Sequence, residues 1–207
     1  MPKPKIAFYW CSSCGGCEES VVDMAEAILE LADLIEIVLW PVAMDFKKHD
    51  IEALEDGAIV ATLLNGAIRT SEQEEMARLL RRKSQFMIAY GSCAHTGGIP
   101  GLANQFSREQ IMQYVYHDSP SVVNPEGTEP QTEFKEGKWT ATLPAFWHVV
   151  RSLDQVVEVD YYLPGCAPNP ELVLAALRAL LSGELPPKGA VLAPDVALCD
   201  GCPRIGT

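Results

Sequence analysis

No stretch of this 207-residue chain approaches the roughly 18 uninterrupted apolar residues of a membrane-spanning helix, so no direct membrane span is expected. The N-terminus, MPKPK, leads straight into KIAFYW. It shows no apolar signal-peptide region and no twin-arginine pair, since Arg81-Arg82 lies mid-chain. The expected compartment is therefore the cytoplasm. Excess positive charge is missing too: a formal net charge of −12 argues against a nucleic-acid or anionic-membrane surface. Gly97-Gly98 completes neither G-x-G-x-x-G nor a Walker pattern, which disfavours nucleotide binding. Internal repeats and low-complexity tracts are absent. What remains is ordinary globular composition, 48% hydrophobic and 21% charged, with a length that suits one domain and a sizeable core.

Cysteine is plentiful, and its placement is informative. In a cytoplasmic chain seven cysteines point to metal binding before disulfides, and an odd count leaves at least one thiol outside any set of pairs. Cys14 and Cys17 lie in CSSCGGC, Cys93 in YGSCAHTGG and Cys166 in LPGCAPNP. Each follows an apolar run that reads as a buried strand: KIAFYW, QFMIAY and VVEVDYYL.

Further strands are expected over 34–40 and 58–64, the latter closed by the Asn65-Gly66 turn signal. Helices are expected from Glu18 to about Leu31, from a Ser71/Glu74 capping box to about Lys83, over 108–116, and over 170–181 behind Asn169. Residues 117–150 lack periodicity and read as a long excursion within the domain. The alternation predicts a doubly wound α/β domain with a mainly parallel sheet. Loops that follow parallel strands emerge on one sheet edge, where such folds bind ligands. Four thiolates there suit a soft metal centre.

An isolated CxxC reads equally as a zinc half-site or a redox dithiol. A zinc ribbon places its second pair roughly 15–20 residues on, whereas Cys93 and Cys166 are distant and single, and a redox dithiol needs neither. Gly15 and Gly16 allow unusual backbone angles and close amide approach. Cys93 taken alone also fits a buried structural thiol.

CGGCEES, GSCAHTGGIPG and LPGCAP, in this order and spacing, resemble the small subunit of [NiFe] hydrogenases. The resemblance covers about Ile6 to Leu181 and is nearest to the cytosolic methyl-viologen-reducing, F420-reducing and NAD(P)-linked types. It implies a flavodoxin-like iron–sulfur domain over 1–182 and a short tail over 183–207. It also implies a proximal [4Fe-4S] cluster on Cys14, Cys17, Cys93 and Cys166. The implied function is electron transfer between the NiFe centre of a hydrogenase large subunit and an acceptor subunit carrying flavin, [2Fe-2S] or a heterodisulfide-reductase module. This chain shows no pair of nickel-binding CxxC motifs near its ends, so the H2-splitting step would belong to its partner.

The respiratory complex I 20 kDa iron–sulfur subunit shares the PGC turn but usually has adjacent cysteines where this chain has Cys14-Gly-Gly-Cys17. A zinc-stabilised scaffold is the reading from another class. Ala167 stands where many relatives have proline. Glu19 resembles a family glutamate near the active site, which gives it a proton-relay or interface role beside the plain reading of a helix-start carboxylate. His95 would hydrogen-bond near the cluster, face the partner, or have no role. Cys11 is expected to be a spare buried thiol, and Trp10, Trp40 and Trp147 core or interface residues. Cys199 and Cys202 in CDGCPRIGT form an unfinished half-site. Their remaining ligands would come from another chain, or the pair binds zinc or nothing, or the sequence is truncated.

Overall fold

The computed structural model describes residues 2–197 and 199–205. Leu198, Gly206 and Thr207, all in the predicted tail, lie outside the described residues. Five strands form one parallel sheet: β1 (Lys5–Trp10), β2 (Glu36–Leu39), β3 (Ile59–Asn65), β5 (Ser84–Tyr90) and β9 (Tyr161–Leu163), in the order β2-β1-β3-β5-β9. The order reverses direction between β1 and β3, as in flavodoxin-like sheets, and that reversal is the expected ligand position.

Side-chain alternation builds a core on each face. Ile6, Phe8, Leu63, Ile88, Tyr90 and Leu163 face α1 (Gly16–Val22), α2 (Ala27–Leu34) and α7 (Pro170–Ser182). Ala7, Leu64, Met87 and Ala89 face α3 (Lys48–Glu52), α4 (Ser71–Lys83) and α5 (Ser92–Thr96). Asn169 caps α7, its Oδ1 accepting from the Glu171 N–H at 2.8 Å, as its sequence position predicts.

Several elements depart from expectation. The helix expected from Glu18 to Leu31 is two helices, broken at Ala25 in the left-handed region (φ 51°), a conformation that costs an L-residue roughly 1–2 kcal/mol. On either side of the break the two helices pack into the same core, α1 through Cys17 and Val21 and α2 through Leu31. The cap of α4 is Thr70, whose Oγ1 accepts from the Gln73 N–H, and not Ser71. Ser71 and Glu74 serve the excursion instead. Ser71 Oγ accepts from the Ala145 N–H, and Glu74 pairs with Arg78 and Arg151.

The helix expected over 108–116 is α6 (Arg108–Gln113), continued by a wider turn of π-helix over Tyr114–Asp118 that leads into the excursion. An exposed hairpin of β6 (Glu133–Glu136) and β7 (Trp139–Thr142) follows, then β8 (Phe146–Arg151) returns antiparallel to β4 (Ile68–Thr70). β9 is shorter than the expected 156–163, because Asp160 satisfies the Met87 N–H with its side chain.

Asp160 is 1% exposed and clips three segments together. Its Oδ2 accepts from Met87 N at 2.8 Å and Arg81 Nη1 at 2.5 Å, and Lys188 Nζ stands 2.6 Å from Oδ1 as an ion pair. The chain after α7 thereby runs along β9 as a strap. Tyr162 N donates to Ala190 O at 3.1 Å, and Leu192 N to Tyr162 O at 2.7 Å. Burial opposes ionisation of Asp160; the Lys188 ammonium, the Met87 N–H and Arg81 outweigh it and hold the carboxyl below the usual carboxylate range.

A depressed folded pKa contributes stability that is present above the unfolded value and lost as pH falls through the folded one, here below about pH 4. Asp160→Asn is expected to cost about 2 kcal/mol at neutral pH, a fall of roughly 4–8 °C in melting temperature. Melting curves from pH 7 to pH 3 check this: the variant's deficit should shrink at the acid end.

Candidate metal centre

Trp10, Asn65, Tyr90 and Leu163 lie in register as one row across β1, β3, β5 and β9. The chain leaves the sheet beyond this row, and three of the exits carry the predicted cysteines. The exit loops are stitched to each other. Gly91 N donates to Leu163 O at 2.8 Å, Ser92 N to Gly165 O at 2.8 Å, and Ser92 Oγ to the same carbonyl at 2.9 Å. The Tyr90 hydroxyl donates to Cys17 O at 2.7 Å, and the Ser20 hydroxyl to Pro168 O.

Gly91 marks the junction, with φ 82°. A Cβ built there would fall 2.4 Å from Cys17 Sγ, 3.5 Å from Gly165 O and 3.6 Å from Pro168 Cδ. Gly98, with φ 50°, approaches Cys93 in the same way, its Cβ position 2.8 Å from Cys93 Sγ. Cys17 and Cys93 are buried; Cys14 and Cys166 are exposed. The Cys166–Ala167 peptide is cis. Burial pushes the Cys17 thiol up to about 12, followed by the neighbouring thiols Cys93 and Cys14, then Glu18 and Cys166. Burial also raises Cys93, partly offset by the Ile99 N–H and reinforced by Cys166 and Cys14. Cys17 is thus influenced by the other three thiols, and Cys93 by Cys166 and Cys14. Their conversion to metal-bound thiolates would release protons.

Among the described residues, no three His, Cys, Asp or Glu side chains are arranged to hold a single metal ion. A zinc site needs its sulfurs about 2.3 Å from one ion, whereas a [4Fe-4S] cluster takes one thiolate at each iron and so accepts a wider spread. Four pooled thiols, with side chains kept out at Gly91 and Gly98, fit a cluster.

Over residues 14–180 the chain matches the family described as NADH ubiquinone oxidoreductase, 20 Kd subunit. The chain belongs to this family. Across 97% of its length it is 40% identical to the iron–sulfur subunit of the F420-non-reducing hydrogenase of Archaeoglobus profundus, covering 63% of that protein. It is 25% identical to the delta subunit of the NAD-reducing hydrogenase HoxS of Cupriavidus necator, over 88% of this chain and 80% of that one. A chain of the crystal structure of NAD+-reducing [NiFe]-hydrogenase in the H2-reduced state superposes with a TM-score of 0.75 at 29% identity, covering 87% of this chain and 92% of the other. The chain spans about three fifths of the length of its archaeal F420-non-reducing hydrogenase relatives.

The other singled-out residues fall as follows. Cys11 is buried at 6% on the opposite face of the sheet from Cys17, with its thiol raised by burial and by Glu72. It packs into the core on that face. Glu19 is exposed on the first turn of α1. The buried carboxylate is its neighbour Glu18, 3% exposed, which accepts from Trp40 Nε1 and Asn65 Nδ2. Burial raises its pKa against those two bonds. Sequence reading missed Glu18; the signal was available, because Cys17, Val21 and Met24 continue the buried face of α1 around it. His95 stacks on Tyr162 at 4.6 Å between centroids, and Trp40 lies in the core. Cys199 and Cys202 sit in the tail, apart from the stitched edge, exposed and half-buried respectively.

Gly91→Ala must strain a left-handed position and displace Cys17, at a cost of about 1–3 kcal/mol. Thermal melting is expected to fall by roughly 2–12 °C. Gly101→Ala, where a Cβ meets nothing within 4 Å, should leave it unchanged.

Proposed function

We propose that this chain is the electron-transfer small subunit of a cytoplasmic [NiFe] hydrogenase. It would hold a [4Fe-4S] cluster on Cys14, Cys17, Cys93 and Cys166. The observation that supports this reading is the meeting of the three cysteine-bearing strand exits at Gly91, where a Cβ would fall 2.4 Å from Cys17 Sγ, 3.5 Å from Gly165 O and 3.6 Å from Pro168 Cδ. When bound, the cluster supplies reversible one-electron storage.

This chain's own residues do the rest. The stitched loops hold the ligands before assembly, so little ordering remains when metal binds. The Tyr90 hydroxyl and Ser20 fix the start of α1 against the exits of β5 and β9. The two exposed ligands, Cys14 and Cys166, set the site at the surface, where an electron passes to a neighbour. Trp10, Ile99, Leu102 and Phe106, exposed at 41%, 69%, 55% and 58%, carry apolar area on the cysteine loops themselves. Such area suits an obligate interface, which resembles a divided core. The partner there would be the hydrogenase large subunit. Electrons would leave it for a further acceptor subunit with flavin, [2Fe-2S] or a heterodisulfide-reductase module.

The complex I reading draws on the family description itself. Against it stands the Cys14-Gly-Gly-Cys17 spacing and the hydrogenase names of the relatives. The zinc-scaffold reading lacks a group of side chains fit for one ion among the described residues. Cys199 and Cys202 remain a half-site that needs ligands from elsewhere for any cluster.

Anaerobically reconstituted protein is expected to bind about four iron and four sulfide per chain, with broad absorption near roughly 400 nm. One zinc and no colour would overturn the reading. In the complex, Cys166→Ala is expected to abolish H2-dependent dye reduction while the large subunit keeps its nickel. Cluster-dependent electron transfer in a complex that holds no nickel would favour the complex I reading.

A further inference from the structure

A hydrogen-bond chain runs behind the cysteine site, and no step of the proposed function uses it. It begins at Trp40, just past the end of β2, whose indole N–H donates to Glu18 Oε2. Glu18 Oε1 accepts from the side-chain amide of Asn65, the last residue of β3 and 0% exposed. The same amide nitrogen reaches Tyr9 O at 3.3 Å. Asn65 Oδ1 accepts from the Ser13 hydroxyl at 2.9 Å, and Ser13 Oγ accepts from the Gly15 N–H at 3.2 Å. Asn65 also holds the loop through its main chain, its carbonyl accepting from Cys11 N at 2.8 Å.

The direction of this chain is set by chemistry. An ionised carboxylate only accepts, so the Asn65 nitrogen must face Glu18 and its oxygen must face Ser13. A side chain with one donor group and one acceptor group, placed between a carboxylate and a hydroxyl, is what the site requires. Aspartate of the same size would set two acceptors against each other.

The far end of the chain lies between two of the proposed ligands, at the Gly15 amide of Cys14-Gly-Gly-Cys17. The near end rests on two strand termini that the sheet holds rigid. We propose that Asn65 is a positioning residue for the metal centre: through Ser13 it fixes the Cys14–Cys17 loop, and so determines how tightly the cluster is held. The assignment rests on the [4Fe-4S] reading of the four cysteines. Groups that orient metal ligands typically account for 10–100-fold in metal affinity or activity.

The test is the rate at which a chelator removes iron from the reconstituted 207-residue chain, read with the electron paramagnetic resonance line shape of the reduced protein. Asn65→Ala is expected to release iron ten- to a hundredfold faster, with an altered line shape. Ser13→Ala removes only the loop-side link and leaves the buried amide in place, so it keeps the fold and should show the same change in smaller measure. Asn65→Asp should release iron fast. Combining it with Glu18→Gln exchanges donor and acceptor across the same bond and is expected to recover much of the loss. Ser12→Ala is the control: its hydroxyl points to Gln73 Oε1 at 3.1 Å, and release should match the parent. If the parent holds four iron, and Ser13→Ala and Asn65→Ala both release it at the parent's rate with its line shape, the assignment is overturned and the cluster reading stands. A parent that takes up no iron overturns both.

Discussion

The structure depends on one constraint: three strand exits must cross at a point that admits no side chain. At Gly91 the loop after β5 touches Cys17 from the β1 exit and Gly165 and Pro168 from the β9 exit. That contact is possible because β1, β3, β5 and β9 end in one row, so their exits leave the sheet at the same height. The apolar strand cores set the row, and the row sets where the cysteines begin. Backbone groups then close the exits onto each other at Gly91 N, Ser92 N and Gly165 O, satisfying polar atoms that would otherwise be buried without partners. Sheet register and main-chain bonding thus bring the three cysteine-bearing exits to one edge.

This division of labour explains the mixed burial of the site. Cys17 starts a helix that packs into one core, and Cys93 opens a helix whose next residue, Ala94, packs into the other. Cys14 and Cys166 sit in loops at the rim. Two of the proposed ligands are thus buried in the packed body and two lie exposed at its surface. Under the proposed function the exposed side is where a partner lands, and the apolar residues on the same loops are what it would cover.

Much of this was legible in the sequence because buried parallel strands read as apolar runs, and all five strands of the sheet were expected, β9 with bounds that ran too long. The cysteine edge followed from topology alone, since each candidate stood just after such a run. What was not legible is tertiary in origin. The break at Ala25 follows no local signal, and α1 and α2 pack into one core on either side of it. Thr70 displaced Ser71 as the α4 cap because Ser71 and Glu74 hold the returning excursion. β4, β8 and the hairpin gave no alternation, since β6 and β7 are exposed on both faces and β4 is three residues long. Glu18 and Asn65 read as a helix-start acid and a turn signal. Only their meeting across the sheet edge showed that they form a buried pair.

The last proposed ligand depends on the weakest strand. β9 has three residues, and its exit carries Cys166. A strand of that length on an open edge would fray and expose unpaired amides. Here β5 pairs one side and the strap over 184–192 pairs the other, with the Tyr161 hydroxyl donating to Pro186 O at 3.0 Å and Gly189 N to Asp160 O at 2.7 Å. The strap is fastened by Lys188 to the same Asp160 that Arg81 holds from α4. The strap is therefore anchored through Asp160, just before β9, and not through the loop that bears Cys166. A segment that looks like a trailing linker in the sequence is, in the fold, what pairs the open edge of the three-residue strand that precedes Cys166.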